Sequence, residues 1–178
     1  MNWDKIISSG DKLERILDIA LKEKNLTLAL AESCTGGKLA SLITAIPCCS
    51  SYFKGGIVCY SNEIKQNILG VDSSILEKYG AVSQPAVESM ATGTRKIFNA
   101  DCVIAISGIA GPGGGTPEKP VGTVWIAVAY KGLNQSKKFQ FSGDRENNIL
   151  DACSSGINML LETIFPKKFP DIPKNLIA

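Results

Sequence analysis

The sequence predicts a single α/β domain on a mixed sheet, and three observations carry that prediction. Apolar residues recur at helical and at strand spacing in alternation along the chain. One nearly continuous apolar run, DCVIAIS (101–107), has the character of an interior strand covered on both faces. Two strand-like segments late in the chain are joined only by KGLN, which suits an antiparallel hairpin and makes the sheet mixed rather than purely parallel. No internal repeat or interdomain linker interrupts residues 1–164, which read as one domain. Residues 165–178 form a tail with Pro166, Pro170 and Pro173 that should be extended or mobile.

The elements follow in order. Residues 11–24 place Leu13, Ile16, Leu17, Ala20 and Leu21 on one helical face, with Asp11 and Glu14 at the start. LTLALAE (26–32) alternates Leu26, Leu28 and Leu30 and reads as a strand. TGGKLASLITAI (35–46) reads as a helix with Leu39, Leu42, Ile43 and Ile46 as its stripe. GGIVCYSN (55–62), rich in β-branched and aromatic residues, is a second strand. Short helices follow near 63–69 and 73–79, separated by Gly70. Ser83 is a natural N-cap, with Pro85 tolerated in the first turn of a helix over 84–98. After the interior strand comes a glycine-rich loop, 108–122. GTVWIAVAY and 135–142 then form the hairpin, and Asp144 starts a last helix to about 164.

Composition excludes more than it suggests. There is no histidine among the 178 residues, so Ser–His–Asp and Cys–His hydrolysis, His-ligated zinc and imidazole acid–base chemistry are all ruled out. Three lysines (167, 168, 174) against Asp171 put the whole net charge of +2 in the tail. The neutral body lacks the basic stripe of a nucleic-acid groove. The N-terminus has no signal-peptide core, and no apolar run approaches a membrane span. The six cysteines include no Cys-x-x-Cys pair, so metal knuckles are not indicated, and reduced thiols in a cytoplasmic setting are expected.

Four segments could carry chemistry, each with a plainer alternative. If the first strand ends at Glu32, Ser33 lies at its carboxyl end, where open α/β sheets place ligands. Cys34, Thr35 and Gly36 would then offer backbone N–H groups to an oxyanion. Ser33 is thus a candidate nucleophile, or simply a helix cap; Cys34 is a rival nucleophile if the same helix end activates its thiol. YSNEIK (60–65) ends the next strand. Without histidine a serine most readily takes a lysine as base. A free lysine titrates near about 10.4, so lowering Lys65 towards neutrality costs about 4 kcal/mol, within reach of burial plus a nearby positive dipole. The alternative is a surface lysine, and Lys38 is a rival that should face solvent. SGIAGPGGGTPEKPVGT (107–123) holds six of the 17 glycines and is neither a Walker loop nor a dinucleotide fingerprint. It lets a ligand approach the backbone, or it merely connects. In FSGDR (141–145), Arg145 could fork to a phosphate or carboxylate, or form a surface ion pair.

Taken together, AESCTGG (31–37), FKGGIVCYSNEIK (53–65), GAVSQPAVESMA (80–91), SGIAGPGGGTPEKPVGTVW (107–125) and FSGDR (141–145) resemble the CinA C-terminal domain family. The resemblance implies a three-layer α/β/α sandwich with a mixed, mostly parallel sheet. It also implies hydrolysis of nicotinamide mononucleotide to nicotinate mononucleotide and ammonia. Carried over by motif, Ser33 is the nucleophile, Lys65 the base and Tyr60 a partner beside them. Thr35, Gly36, Gly108, Gly111, Gly113, Thr116 and Arg145 would contact a small phosphorylated nucleotide. The implied scheme uses neither metal nor other cofactor, nucleic acid nor membrane; a homo-oligomer, with a dimer favoured, is expected on general grounds. Two departures stand out: Cys48 replaces a glycine usual in relatives, and Ile149 stands where many carry an arginine.

Overall fold

The computed structural model describes residues 12–166. Asp11 and nearly all of the 165–178 tail lie outside the described residues. Helix α1 spans Leu13–Lys24, β1 Leu28–Glu32, α2 Lys38–Thr44, β2 Phe53–Val58, α3 Asn62–Asn67 and α4 Ser73–Tyr79. Helix α5 spans Gln84–Phe98, β3 Cys102–Gly108, β4 Thr123–Tyr130, β5 Leu133–Gln140 and α6 Arg145–Ile164.

The five strands lie in the order β2-β1-β3-β4-β5. β1 is parallel to β2 and β3, while β4 is antiparallel to β3 and β5. Four strands therefore run one way and only β4 opposes them. Side chains alternate across the sheet, and each face has its own core. Leu28, Leu30, Ile104, Ile106, Ile126 and Val128 pack with α1, α2 and α6. Ala31, Val103, Ala105, Ala127 and Ala129 pack with α4 and α5. The result is the expected three-layer α/β/α sandwich. Among the described residues no helix is long and apolar enough to cross a membrane.

Differences from the sequence reading are local and have causes. β1 is buried on both faces, because Ala31 packs with α5 on one side while Leu28 and Leu30 pack on the other. Helix α2 starts at Lys38, not 35, because Gly36 and Gly37 take positive φ and form a turn first. β2 stops at Val58, and the Ser61 hydroxyl accepts the Ile64 N–H to cap α3. The β4–β5 turn needs only Lys131 and Gly132, both at positive φ, so β5 begins at Leu133. Caps at Ser83 and Asp144 are as expected: Ser83 Oγ accepts from Ala86 N–H, and the Asp144 carboxylate from Asn147 N–H at 2.9 Å.

The β1–β2 connection contains the Cys48 departure. Cys48 has φ 63° and ψ 20°, the left-handed region, immediately before a short 3₁₀ turn at Cys49–Ser51. An L side chain there costs about 1–2 kcal/mol, partly offset because glycine loses more entropy on folding. Cys48→Gly is therefore expected to stabilise the fold by about 0.5–1 kcal/mol. Urea denaturation of the two proteins side by side checks this; an unchanged or lower midpoint contradicts it.

Candidate active site

The chain leaves β1 to build β2 on one side and returns to build β3 on the other. The carboxyl end of β1 is therefore a switch point, where neighbouring connections part and leave a crevice. A cavity of ≈ 280 Å³ lies there. Its wall includes Ser33 from the end of β1, Tyr60 and Lys65 from the segment after β2, and Ser107 to Gly111 from the end of β3.

Ser33 is anchored to the sheet by its own N–H, which donates to Ile106 O at 3.0 Å. Lys65 projects from α3 into the protein and is only 1% exposed. Its Nζ lies 3.0 Å from Ser33 Oγ and donates to the Cys59 and Tyr60 carbonyl oxygens at 2.6 and 3.2 Å. Among the described residues no carboxylate pairs with it. Burial lowers its pKa; the thiols of Cys59 and Cys34 act the other way. They do so only as thiolates, and burial raises the pKa of both, Cys34 to about 12. At neutral pH both are uncharged, so the depression of Lys65 stands. The same burial removes Cys34 as a rival nucleophile, because a thiol titrating that high offers almost no thiolate.

The source of the depression corrects the expectation that a helix N-terminus assists it. Lys65 lies in the last turn of α3, where a helix end favours a cation. Desolvation is the cause.

The helix after Ser33 also differs from expectation. Glu32, 1% exposed, points to the opposite face from Ser33, and its carboxylate accepts the N–H groups of Gly37, Leu39 and Ala40 at 3.0, 3.1 and 2.8 Å. Gly36 N–H donates to Ser33 O and Lys38 N–H to Thr35 O. The N-terminus of α2 is thus occupied from within. Among the described residues, the Cys34 and Thr35 N–H groups donate to no other residue, and they alone remain of the expected oxyanion donors.

Of the other expected residues, Gly108, Gly111, Gly113 and Arg145 reach the cavity. Two of the glycines have reasons within the fold: a Cβ at Gly108 would meet Val124 Cγ2 at 2.6 Å, and one at Gly111 would meet Val121 Cγ1 at 2.6 Å. A Cβ at Gly113 would meet nothing within 4 Å, so packing gives no reason for a glycine there. Thr116 does not line the cavity. Its N–H donates to Lys119 O at 2.9 Å and its hydroxyl accepts the Lys119 N–H at 3.1 Å, closing a turn. Gly36 is likewise a turn residue, and Thr35 lines an adjoining cleft instead. The Tyr60 side chain is 63% exposed, two residues beyond β2, and its carbonyl rather than its hydroxyl meets Lys65.

Sequence reasoning missed the supports. Asn148, buried in α6, donates to Ala110 O at 3.0 Å and accepts from Gly143 N–H at 3.0 Å. Arg145 Nη1 donates to Gly111 O at 2.7 Å. Together they pin the glycine loop to α6. Ser107 Oγ donates to Ala81 O at 2.8 Å and ties the end of β3 to the loop before α5. Among the described residues no three histidine, cysteine or acidic side chains gather as a metal site would require.

The CinA C-terminal domain model matches residues 10–164. The chain belongs to the CinA C-terminal domain family. A CinA-like protein of Thermotoga neapolitana is 52% identical over 137 residues, 77% of this chain and 33% of that protein. One from Cytophaga hutchinsonii is 47% identical over 151 residues, 85% of this chain and 36% of the relative. The chain thus spans about a third of the length of these curated relatives. Solved CinA-superfamily structures resemble it throughout. One from Klebsiella pneumoniae 700603 has a TM-score of 0.83 at 37% identity, covering 85% of this chain and 95% of that one. One from Escherichia coli has 0.83 at 38%, covering 87% and 90%. As a CinA-family domain, the chain carries its Ser33–Lys65 contact within the matched region.

Glu32 sets the turn that presents Ser33. Glu32→Ala strands three N–H groups in a buried or half-buried site, and is expected to cost about 3 kcal/mol of stability. Chemical denaturation measures this; a loss below about 1 kcal/mol would mean the turn holds itself without the carboxylate.

Proposed function

We propose that this domain hydrolyses the carboxamide of nicotinamide mononucleotide to nicotinate mononucleotide and ammonia, with Ser33 as nucleophile and Lys65 as base. The observation that carries the reading is a buried lysine with no anionic partner among the described residues, 3.0 Å from a serine hydroxyl at a strand end.

The hydrogen-bond count suits the chemistry. A neutral amine has two hydrogens and one lone pair. Two hydrogens go to the Cys59 and Tyr60 carbonyls, so the lone pair is left for the Ser33 O–H. Ser33 Oγ attacks the amide carbon as its proton passes to Lys65 Nζ. The resulting ammonium has three acceptors in place and needs no rearrangement. The oxyanion falls to the Cys34 and Thr35 amides. When the C–N bond breaks, Lys65 returns its proton to the departing ammonia and leaves an ester on Ser33. Lys65 then takes a proton from water, hydroxide adds to the ester, and collapse returns that proton from Lys65 to Ser33 Oγ and frees the carboxylic acid, which loses its own proton to solvent.

The sign of the pH dependence follows from the lowered pKa of Lys65. The active form is the free amine, so kcat/KM should rise with pH through a pKa below the ordinary lysine range and then level off. A falling limb at that pKa would contradict the assignment. Ser33→Ala and Lys65→Ala should each lower ammonia release from nicotinamide mononucleotide by about 10²–10⁴-fold. Lys65→Arg should not rescue, because a guanidinium does not deprotonate. Turnover that survives these changes refutes the dyad. Nucleotide binding without any ammonia release by the parent protein would leave a non-catalytic binding module instead.

A further inference from the structure

Hydrolysis of a carboxamide replaces an uncharged group with an anion, and on the proposed reaction it does so beside Lys65. The Ser33 cavity, ≈ 280 Å³ in volume, would therefore meet two ligands of opposite demand. An amide leaves Lys65 free to be neutral, whereas a carboxylate in the same place favours the ammonium. We infer that the Ser33 cavity is also a binding site for the pyridine carboxylate that the reaction makes, which it holds by taking a proton onto Lys65. The identity of the ligand rests on the amidase reading; the coupling of carboxylate binding to a proton does not.

The contacts of Lys65 Nζ accept both protonation states in one geometry. Its partners are Ser33 Oγ at 3.0 Å, Cys59 O at 2.6 Å and Tyr60 O at 3.2 Å. The two carbonyls only accept, so they take two hydrogens in either state. The position facing Ser33 carries a lone pair in the amine and a hydrogen in the ammonium. A serine hydroxyl both donates and accepts. It donates to the amine and accepts from the ammonium, so the contact reverses its direction without changing its length. In the reversed state the Ser33 hydrogen is released from Lys65 and is offered to the cavity, where a carboxylate oxygen accepts it. The Cys34 and Thr35 N–H groups, which donate to no other described residue, serve the second oxygen.

The charges around Lys65 favour such an anion. The Cys34 thiol faces it from the end of β1 and the Cys59 thiol from the segment after β2, and burial keeps both uncharged at neutral pH. Across the cavity α6 brings Arg145, a second cation. The end of β3 and the loop before α5 bring Ser107, Ala81 and Val82, none of which titrates. Glu63, on α3 itself, is exposed, and Glu32 faces α2, where three N–H groups hold its carboxylate. No carboxylate is among the residues lining the cavity. Burial without a counter-charge is what lowers the Lys65 pKa. A ligand carboxylate supplies that counter-charge, so the complex keeps a proton that the free protein sheds. The sign follows: the acid binds the ammonium form, turnover needs the amine, and rising pH releases the first as it switches on the second.

Titration calorimetry on the full chain carrying Ser33→Ala, which cannot form the ester, tests the inference. With the hydroxyl gone, the third ammonium hydrogen goes to the carboxylate directly, so the coupling is retained. Nicotinate mononucleotide and nicotinamide mononucleotide are each titrated between about pH 6 and about pH 9. Both carry the same phosphate, whose own titration cancels in the ratio of the two affinities. The acid-over-amide ratio should fall about tenfold per pH unit once free Lys65 sheds its proton. In buffers of different ionisation enthalpy, the acid should take up about one proton more than the amide. Adding Lys65→Met should flatten the ratio, with thermal melts to confirm that the double variant folds. A ratio indifferent to pH, equal proton uptake by the two ligands, no binding of either, or a pH dependence that survives Lys65→Met overturns the inference. Its failure leaves ammonia release by the parent protein untouched. Conversely, coupled binding of the acid by a parent that releases no ammonia sinks the amidase reading and leaves the carboxylate site standing.

Discussion

An amine buried with no counter-anion among the described residues is the constraint around which the rest of the site is arranged. An ammonium in that position loses its hydration and gains only dipoles in return, so the neutral form becomes accessible. The structure withholds a carboxylate from Lys65 although one is close in sequence to its partner. Glu32 and Ser33 are consecutive, and successive strand residues face opposite ways. Ser33 looks towards α3 and Lys65, while Glu32 looks towards α2 and satisfies three amides there. A one-residue slip of β1 would exchange them and pair Lys65 with an acid, fixing it as ammonium. Strand register thus keeps the Glu32 carboxylate away from Lys65. That register is held from both sides, by β2 and β3.

The supporting shell works by main-chain contacts more than by side-chain chemistry. Carbonyls of Cys59 and Tyr60 orient Lys65, and the Ile106 carbonyl orients Ser33. Asn148 and Arg145 hold two successive carbonyls of the glycine loop, Ala110 and Gly111, to the start of α6. Dipoles of this kind are fixed by the fold and carry no net charge. They can orient a base without deciding its protonation state, which a carboxylate would do. A chain with no histidine has no imidazole to serve as a base, and here burial lowers the pKa of a lysine instead.

Much of this was legible in the sequence, and the boundary of legibility is physical. Hydrophobic period gave the layers: the unbroken run at 101–107 is the central strand, and the short KGLN link is the hairpin. Cap chemistry placed Ser83 and Asp144 correctly, because a cap is a local interaction. The Ser33–Lys65 contact bridges 32 residues and two strand ends, and it was reached through motif resemblance as much as through spacing. What escaped were choices of partner made in three dimensions. Nothing local distinguishes Thr116, which closes a turn with Lys119, from a threonine that meets a ligand. Nothing local says that Glu32 will take the amides of Gly37, Leu39 and Ala40, or that Tyr60 will meet Lys65 through its carbonyl.

The absence of histidine and the neutrality of the body are two sides of one requirement. A lysine that is to act as a base needs a field that is not negative, and no carboxylate is among the residues lining the Ser33 cavity. Lys65 is surrounded by uncharged thiols, carbonyls and a hydroxyl, and Arg145 is the other cation of that lining.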